Sequence, residues 1–149
     1  MNPVDTAADT AAPVIPRAQV AYGTIVYWIT FASAVIVTIG SALALIFPDH
    51  NVLHPAASFG AIFAGHGPDQ IWAASREGAF PGGHFYLRNM LTGDGLTQFG
   101  VAIGCAAALP ALLAAAVAYG RARAYGFALL SLWVGAMVLF AAAGIIALG

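Results

Sequence analysis

The stretch "LTQFGVAIGCAAALPALLAAAVAYGRARAYGFALLSLWVGAMVLFAAAGIIAL", Leu96 to Leu148, decides the fold. Two apolar runs, 96–119 and 125–148, flank the turn "GRARA", and neither carries Asp, Glu, Lys, Arg or His in its interior. A bilayer crossing takes roughly 20 residues of helix rising about 1.5 Å each, so both runs are long enough. Hydrocarbon offers the backbone no hydrogen-bond partners, which predicts α-helix for both. So short a turn forces an antiparallel hairpin. Tyr119 and Tyr125 then share one interface, where aromatic rings with a polar edge settle.

A third run, 22–47, opens with Tyr22, Tyr27 and Trp28 and closes at "FPDH", where Pro48 cannot continue the hydrogen-bond ladder. The preceding "MNPVDTAADTAAPVIPRAQV" carries two Asp and one Arg, and the apolar run exceeds the h-region of a signal peptide, so it reads as a retained helix. Composition agrees. Of 149 residues 61% are hydrophobic and 7% charged, with a mean hydropathy of +0.86, whereas soluble domains carry about 25% charged residues. The expectation is an all-α integral membrane protein with three transmembrane helices and a long extracytoplasmic connection containing short interfacial helices. Its parts are a flexible leader 1–21, helix 22–47, connection 48–95, helix 96–119 and helix 125–148.

Orientation follows from the arginines, since there is no lysine. Arg17, Arg121 and Arg123 fall on one side of a three-span chain, and Arg76 and Arg88 are diluted over the long connection. Positive charge stays in the cytoplasm, which predicts a multi-pass protein of the bacterial inner membrane with its N-terminus inside and its C-terminus outside. A net charge of -1 gives no footprint for nucleic acid.

In the second helix Gly100 and Gly104 form a GxxxG pair extended by Ala108. Small residues at that spacing let another helix approach closely, and they are predicted to pack on a partner. Ser33, Gly40, Ser41 and Ala44 offer a similar surface on the first helix. Pro110 should free the Ala106 carbonyl and bend its helix; a static kink is the plainer reading, a hinge the functional one.

The connection reads as two short helices, near 55–64 and 68–77, each opened by a proline and closed by a glycine. Phe59, Ile62 and Phe63 share one face of the first, and Ile71 and Trp72 are the apolar contacts of the second. With Phe85, Tyr86 and Arg88 from "AFPGGHFYLRNML", the residues Phe59, Phe63 and Trp72 are candidates for external contact, on lipid or protein. Asp94 and Thr97 read as caps of the second membrane helix.

The residues offer little for catalysis. No helix interior holds a histidine for haem, and Cys105 is the single cysteine, which removes haem c and iron–sulfur ligation. No acid, histidine or arginine lies within a span to mark a transport path. His50, His54, His66 and His84 lack the tight spacing of a metal site, so no metal, cofactor or catalytic residue is assigned. Contact with lipid, or with quinone or pigment held by partners, remains open to the chain.

The run Thr92–Phe140, with the preceding "GSALALIFP", resembles an uncharacterised family of small bacterial three-helix membrane proteins. That family similarly has a long first connection and a final hairpin with proline in the middle helix. Where the family has a polar or basic group after the proline, this chain has Ala111, Leu112 and Leu113. The resemblance supplies no catalytic residues. Together these readings point to a non-catalytic accessory subunit of a larger membrane complex, in respiratory or photosynthetic electron transfer. Its partners would be larger integral membrane subunits and the bilayer. The alternative is an auxiliary subunit of a permease; a small enzyme or metal carrier using the external histidines ranks last.

Overall fold

A computed structural model describes residues 15–143. Among them the chain is all-helical and has no strand. Six α-helices follow in order: α1 Arg17–Ile46, α2 Pro55–Phe63, α3 Pro68–Ala73, α4 Gly93–Ala106, α5 Ala108–Arg121 and α6 Tyr125–Ala142. Single 3-10 turns lie at Pro48–His50 and Phe85–Leu87. Three helical stretches, Arg17–Ile46, Gly93–Arg121 and Tyr125–Ala142, are long and apolar enough to cross a membrane.

Several boundaries differ from those the sequence suggests. Helix α1 begins at Arg17, inside the expected leader. Ala18, Gln19 and Val20 continue it without a breaker, and the Gln19 and Val20 amides both donate to the Pro16 carbonyl, at 2.9 and 3.3 Å. Residues 1–14 of the leader and 144–148 of the expected third span lie outside the described residues. Helix α3 ends at Ala73, short of the expected residue 77. Helix α4 starts at Gly93, before the expected residue 96, because Thr92 caps it: its Oγ1 accepts from the Gly95 amide at 3.1 Å. Two glycines in the first turn have poor helix propensity and hide this start from the sequence.

At Pro110 the ladder is interrupted as the ring requires. The Ala107 amide reaches back only to Gly104, at 3.2 Å, and a new helix starts at Ala108. Hydroxyls within the apolar helices bond to their own backbone: Thr38 to the Ala34 carbonyl at 2.8 Å and Ser131 to that of Phe127 at 2.9 Å. Such bonding removes the cost of an unpaired polar group in hydrocarbon.

The chain forms two compact units, one Ile25–Ala108 and one made by the start of α1 with Leu109 onward. In the first, α1 and α4 meet through small residues. A Cβ on Gly40 would lie 2.6 Å from the Thr97 amide nitrogen, and one on Gly100 would lie 2.8 Å from a Val37 methyl. At Gly93 it would collide with the Ala44 backbone. Buried Ser33 donates to the Gly100 carbonyl at 2.8 Å.

In the second unit, Tyr119 and Phe127 stack with ring centroids 5.4 Å apart. Helix α5 ends in a Schellman turn: the Arg123 amide donates to the Gly120 carbonyl and the Ala124 amide to that of Tyr119, at 3.1 and 2.9 Å. Arg123 stands at the left-handed position with φ 57°, where glycine is usual and a side chain costs about 1 kcal/mol.

Candidate functional site

Among the described residues, side-chain hydrogen bonds gather where α1 ends and α4 begins. Pro48 stops α1, the backbone turns through Pro48–His50, and Asn51 and Val52 become buried at 4% and 2% exposure. Burial leaves their backbone and side-chain polar groups in need of partners. Asp94, in the first turn of α4, accepts from the Val52 and Leu53 amides through Oδ2 at 2.8 and 3.0 Å. Its Oδ1 accepts from the Gly95 amide at 2.9 Å. Asn51 answers in the other direction. Its Oδ1 accepts from the Asp94 amide at 3.2 Å, and its Nδ2 donates to the Ala44 and Pro48 carbonyls at 2.8 and 3.2 Å. The two side chains thereby join the last turn of α1 to the first of α4. The carboxylate lies where the helix dipole favours negative charge.

Around this clasp the connection closes a second ring. The Arg76 amide donates to the Val52 carbonyl at 3.0 Å, and its guanidinium donates to the Asp49 carbonyl at 2.6 Å. Asn89 Nδ2 donates to Glu77 Oε1 at 3.1 Å, and Thr92 Oγ1 to the Asn89 carbonyl at 2.7 Å. Beside the clasp opens a cavity of about 460 Å³ lined by Ser41, Leu45, Leu53, Trp72, Phe85, Thr97 and Gln98, among others. Trp72 stands edge-on to Phe80 and Phe85, with centroids 5.2 and 6.1 Å away, so an aromatic cluster forms part of the wall.

The expected contact residues therefore divide. Trp72 and Phe85 are half-buried in one cluster, and Tyr86 packs toward Phe99 of α4 at 6.2 Å. Phe59 and Phe63, at 60% and 88% exposure, stand outside it with Ile62 on α2, and Arg88 is exposed. Gly100 and Gly104 meet α1 of the same chain; a Cβ added at Gly104 would lie 2.6 Å from the Ser33 hydroxyl oxygen. Ala108 is half-buried. Thr97 does not cap α4; its hydroxyl donates to the Gly93 carbonyl at 2.8 Å, one turn into the helix.

Asn51 escaped sequence reading altogether. A lone asparagine after a helix-ending proline reads as an ordinary turn residue, and only its burial shows what it holds. Among the described residues no three of His, Cys, Asp and Glu converge as a metal set. His54 caps α2, its Nδ1 accepting from the Ala57 amide at 3.4 Å, and its Nε2 lies 3.5 Å from Asp49 Oδ1. That pair is too exposed to stabilise much.

A model of an uncharacterised protein family matches residues 18–145. The chain belongs to that family. The match runs from the second residue of α1 past the end of α6, so it takes in the clasp, the aromatic cluster and all three long helices. No curated protein and no solved structure matches the chain.

Proposed function

We propose that this chain is a non-catalytic accessory subunit of a larger complex in the bacterial inner membrane, of the electron-transfer class, with its N-terminus in the cytoplasm. The observation that carries the reading is the face of α2. Helix α2 has nine residues, too few to span a bilayer, yet Phe59, Ile62 and Phe63 are all exposed on it. Burying one such side chain is worth about 1.5–3 kcal/mol, so the face gains most by meeting an apolar surface. The clasp supports the same reading: its side-chain bonds all close within the chain, which holds the connection that carries α2 in one arrangement. The small-residue face of α4 is taken by α1, so partner contact passes to α2 and to exposed Leu87, Met90 and Leu91.

The test is purification in mild detergent, followed by mass spectrometry and an absorption spectrum. Partners bearing haem or pigment support the reading, and a polytopic permease would replace the electron-transfer class with transport. Phe59→Ser with Phe63→Ser should leave the chain folded and release it from those partners. Unchanged co-purification of the double variant would refute α2 as the docking face.

A further inference from the structure

Where α1 starts and α5 turns into α6 lies a cavity of about 680 Å³, lined by Pro16, Arg17, Ala18 and Ala21 of the first span and by Ala118, Tyr119, Arg121, Ala122, Ala124 and Phe127 of the hairpin. Its chemistry is uneven. The walls are alanine methyls and one face of the Tyr119–Phe127 stack, while the charged groups are two exposed guanidiniums, Arg17 and Arg121. Among the described residues no carboxylate lines it and neither arginine has an acidic partner. The first turn of α1, which carries no acidic residue, adds the partial positive charge of a helix start.

We propose that this cavity binds the phosphate of an anionic phospholipid, one molecule per chain, with Arg17 and Arg121 on the headgroup and the alanine and aromatic walls against the upper acyl chains. Three features make lipid the occupant. Guanidinium matches phosphate geometry with paired donors. The volume falls in the range of ligand sites that bury most of a small molecule. Both arginines sit at the ends of apolar helices, the level at which headgroups lie. A neutral zwitterionic headgroup would bring its own cation against the two guanidiniums and lose the net attraction. The site shares no residue with α2 and does not depend on any partner subunit.

Arg123 provides the internal control. It lies two residues from Arg121 and carries the same charge, but it does not line the cavity. The full chain, stripped of lipid in detergent, is titrated with phosphatidylglycerol and with phosphatidylcholine and weighed by native mass spectrometry. Wild type and Arg123→Gln should each retain one phosphatidylglycerol in preference to phosphatidylcholine. Arg17→Gln with Arg121→Gln should bind it more weakly by roughly thirtyfold, at about fivefold for each basic residue facing an acidic lipid. Both replaced side chains are exposed, so the helices are retained. Ala21→Leu, which keeps both charges and narrows the apolar part, should also displace the lipid. Equal retention of the two lipids, an equal loss in Arg123→Gln, or full binding by the double variant would each overturn the proposal. Displacement of the lipid by excess inorganic phosphate would make free phosphate the ligand instead and overturn the lipid assignment.

Discussion

The Asp94 carboxylate takes three backbone amides that the turn after α1 and the start of α4 leave without helical partners. Hydrogen bonds to a charged acceptor contribute about 1.5–3 kcal/mol, and leaving a buried amide unpaired costs about 1–3 kcal/mol. Asp94→Ala should therefore destabilise the detergent-solubilised protein by about 3 kcal/mol, and Asp94→Asn by roughly half as much, since an amide oxygen still accepts. Thermal unfolding monitored by circular dichroism measures both. Crossing Asp94→Ala with Asn51→Ala should give less than the sum of the two losses, by about 1 kcal/mol, because each variant already breaks the shared ring. Strict additivity would show that the two side chains act separately. Of this pair the sequence made Asp94 legible as a helix-start acid; its true partners, the amides of Val52 and Leu53, lie 42 and 41 positions away and left no local mark.

Among the elements, α1 and α4 depend on glycine in a way that spacing alone could only half reveal. GxxxG identified Gly100 and Gly104 as a close-approach face, but periodicity does not say which helix approaches. The answer came from the facing helix, where Ser33, Gly40 and Ala44 present matching small residues. Gly100→Ala and Gly40→Ala should each cost about 1–3 kcal/mol by overpacking, because the added methyl meets a neighbouring element at 2.8 and 2.6 Å. Gly23→Ala and Gly60→Ala are the contrast. Nothing lies within 4 Å of either added methyl, and removing a flexible residue from a helix should stabilise by about 0.5–1 kcal/mol. Opposite signs in the four melting temperatures are the expected result; a uniform response would mean that helix propensity, and not packing, governs them.

For the whole molecule, the three long helices were legible because hydrophobic length is a direct physical requirement of the bilayer. The ends of those helices were less so. Arg17 to Ala21 are helical despite following a polar, proline-containing leader, and the glycines of α4 hide its first turn. Arginine placement is what the proposed orientation rests on. With a cytoplasmic N-terminus and three spans, the proposed orientation expects an active C-terminal alkaline phosphatase fusion and a dark C-terminal green fluorescent protein; the reverse pattern would invert it.

The unit Ile25–Ala108 is one uninterrupted piece of chain, whereas the other joins the first turns of α1 to everything after Leu109. Synthesis runs from the N-terminus, and parts that are contiguous can fold as they emerge. The clasped hairpin has all its partners as soon as α4 leaves the ribosome. The arginine-lined cavity has none of its second wall until α5 and the first turn of α6 have been made, so it is a feature that the chain can display only once synthesis has passed Phe127.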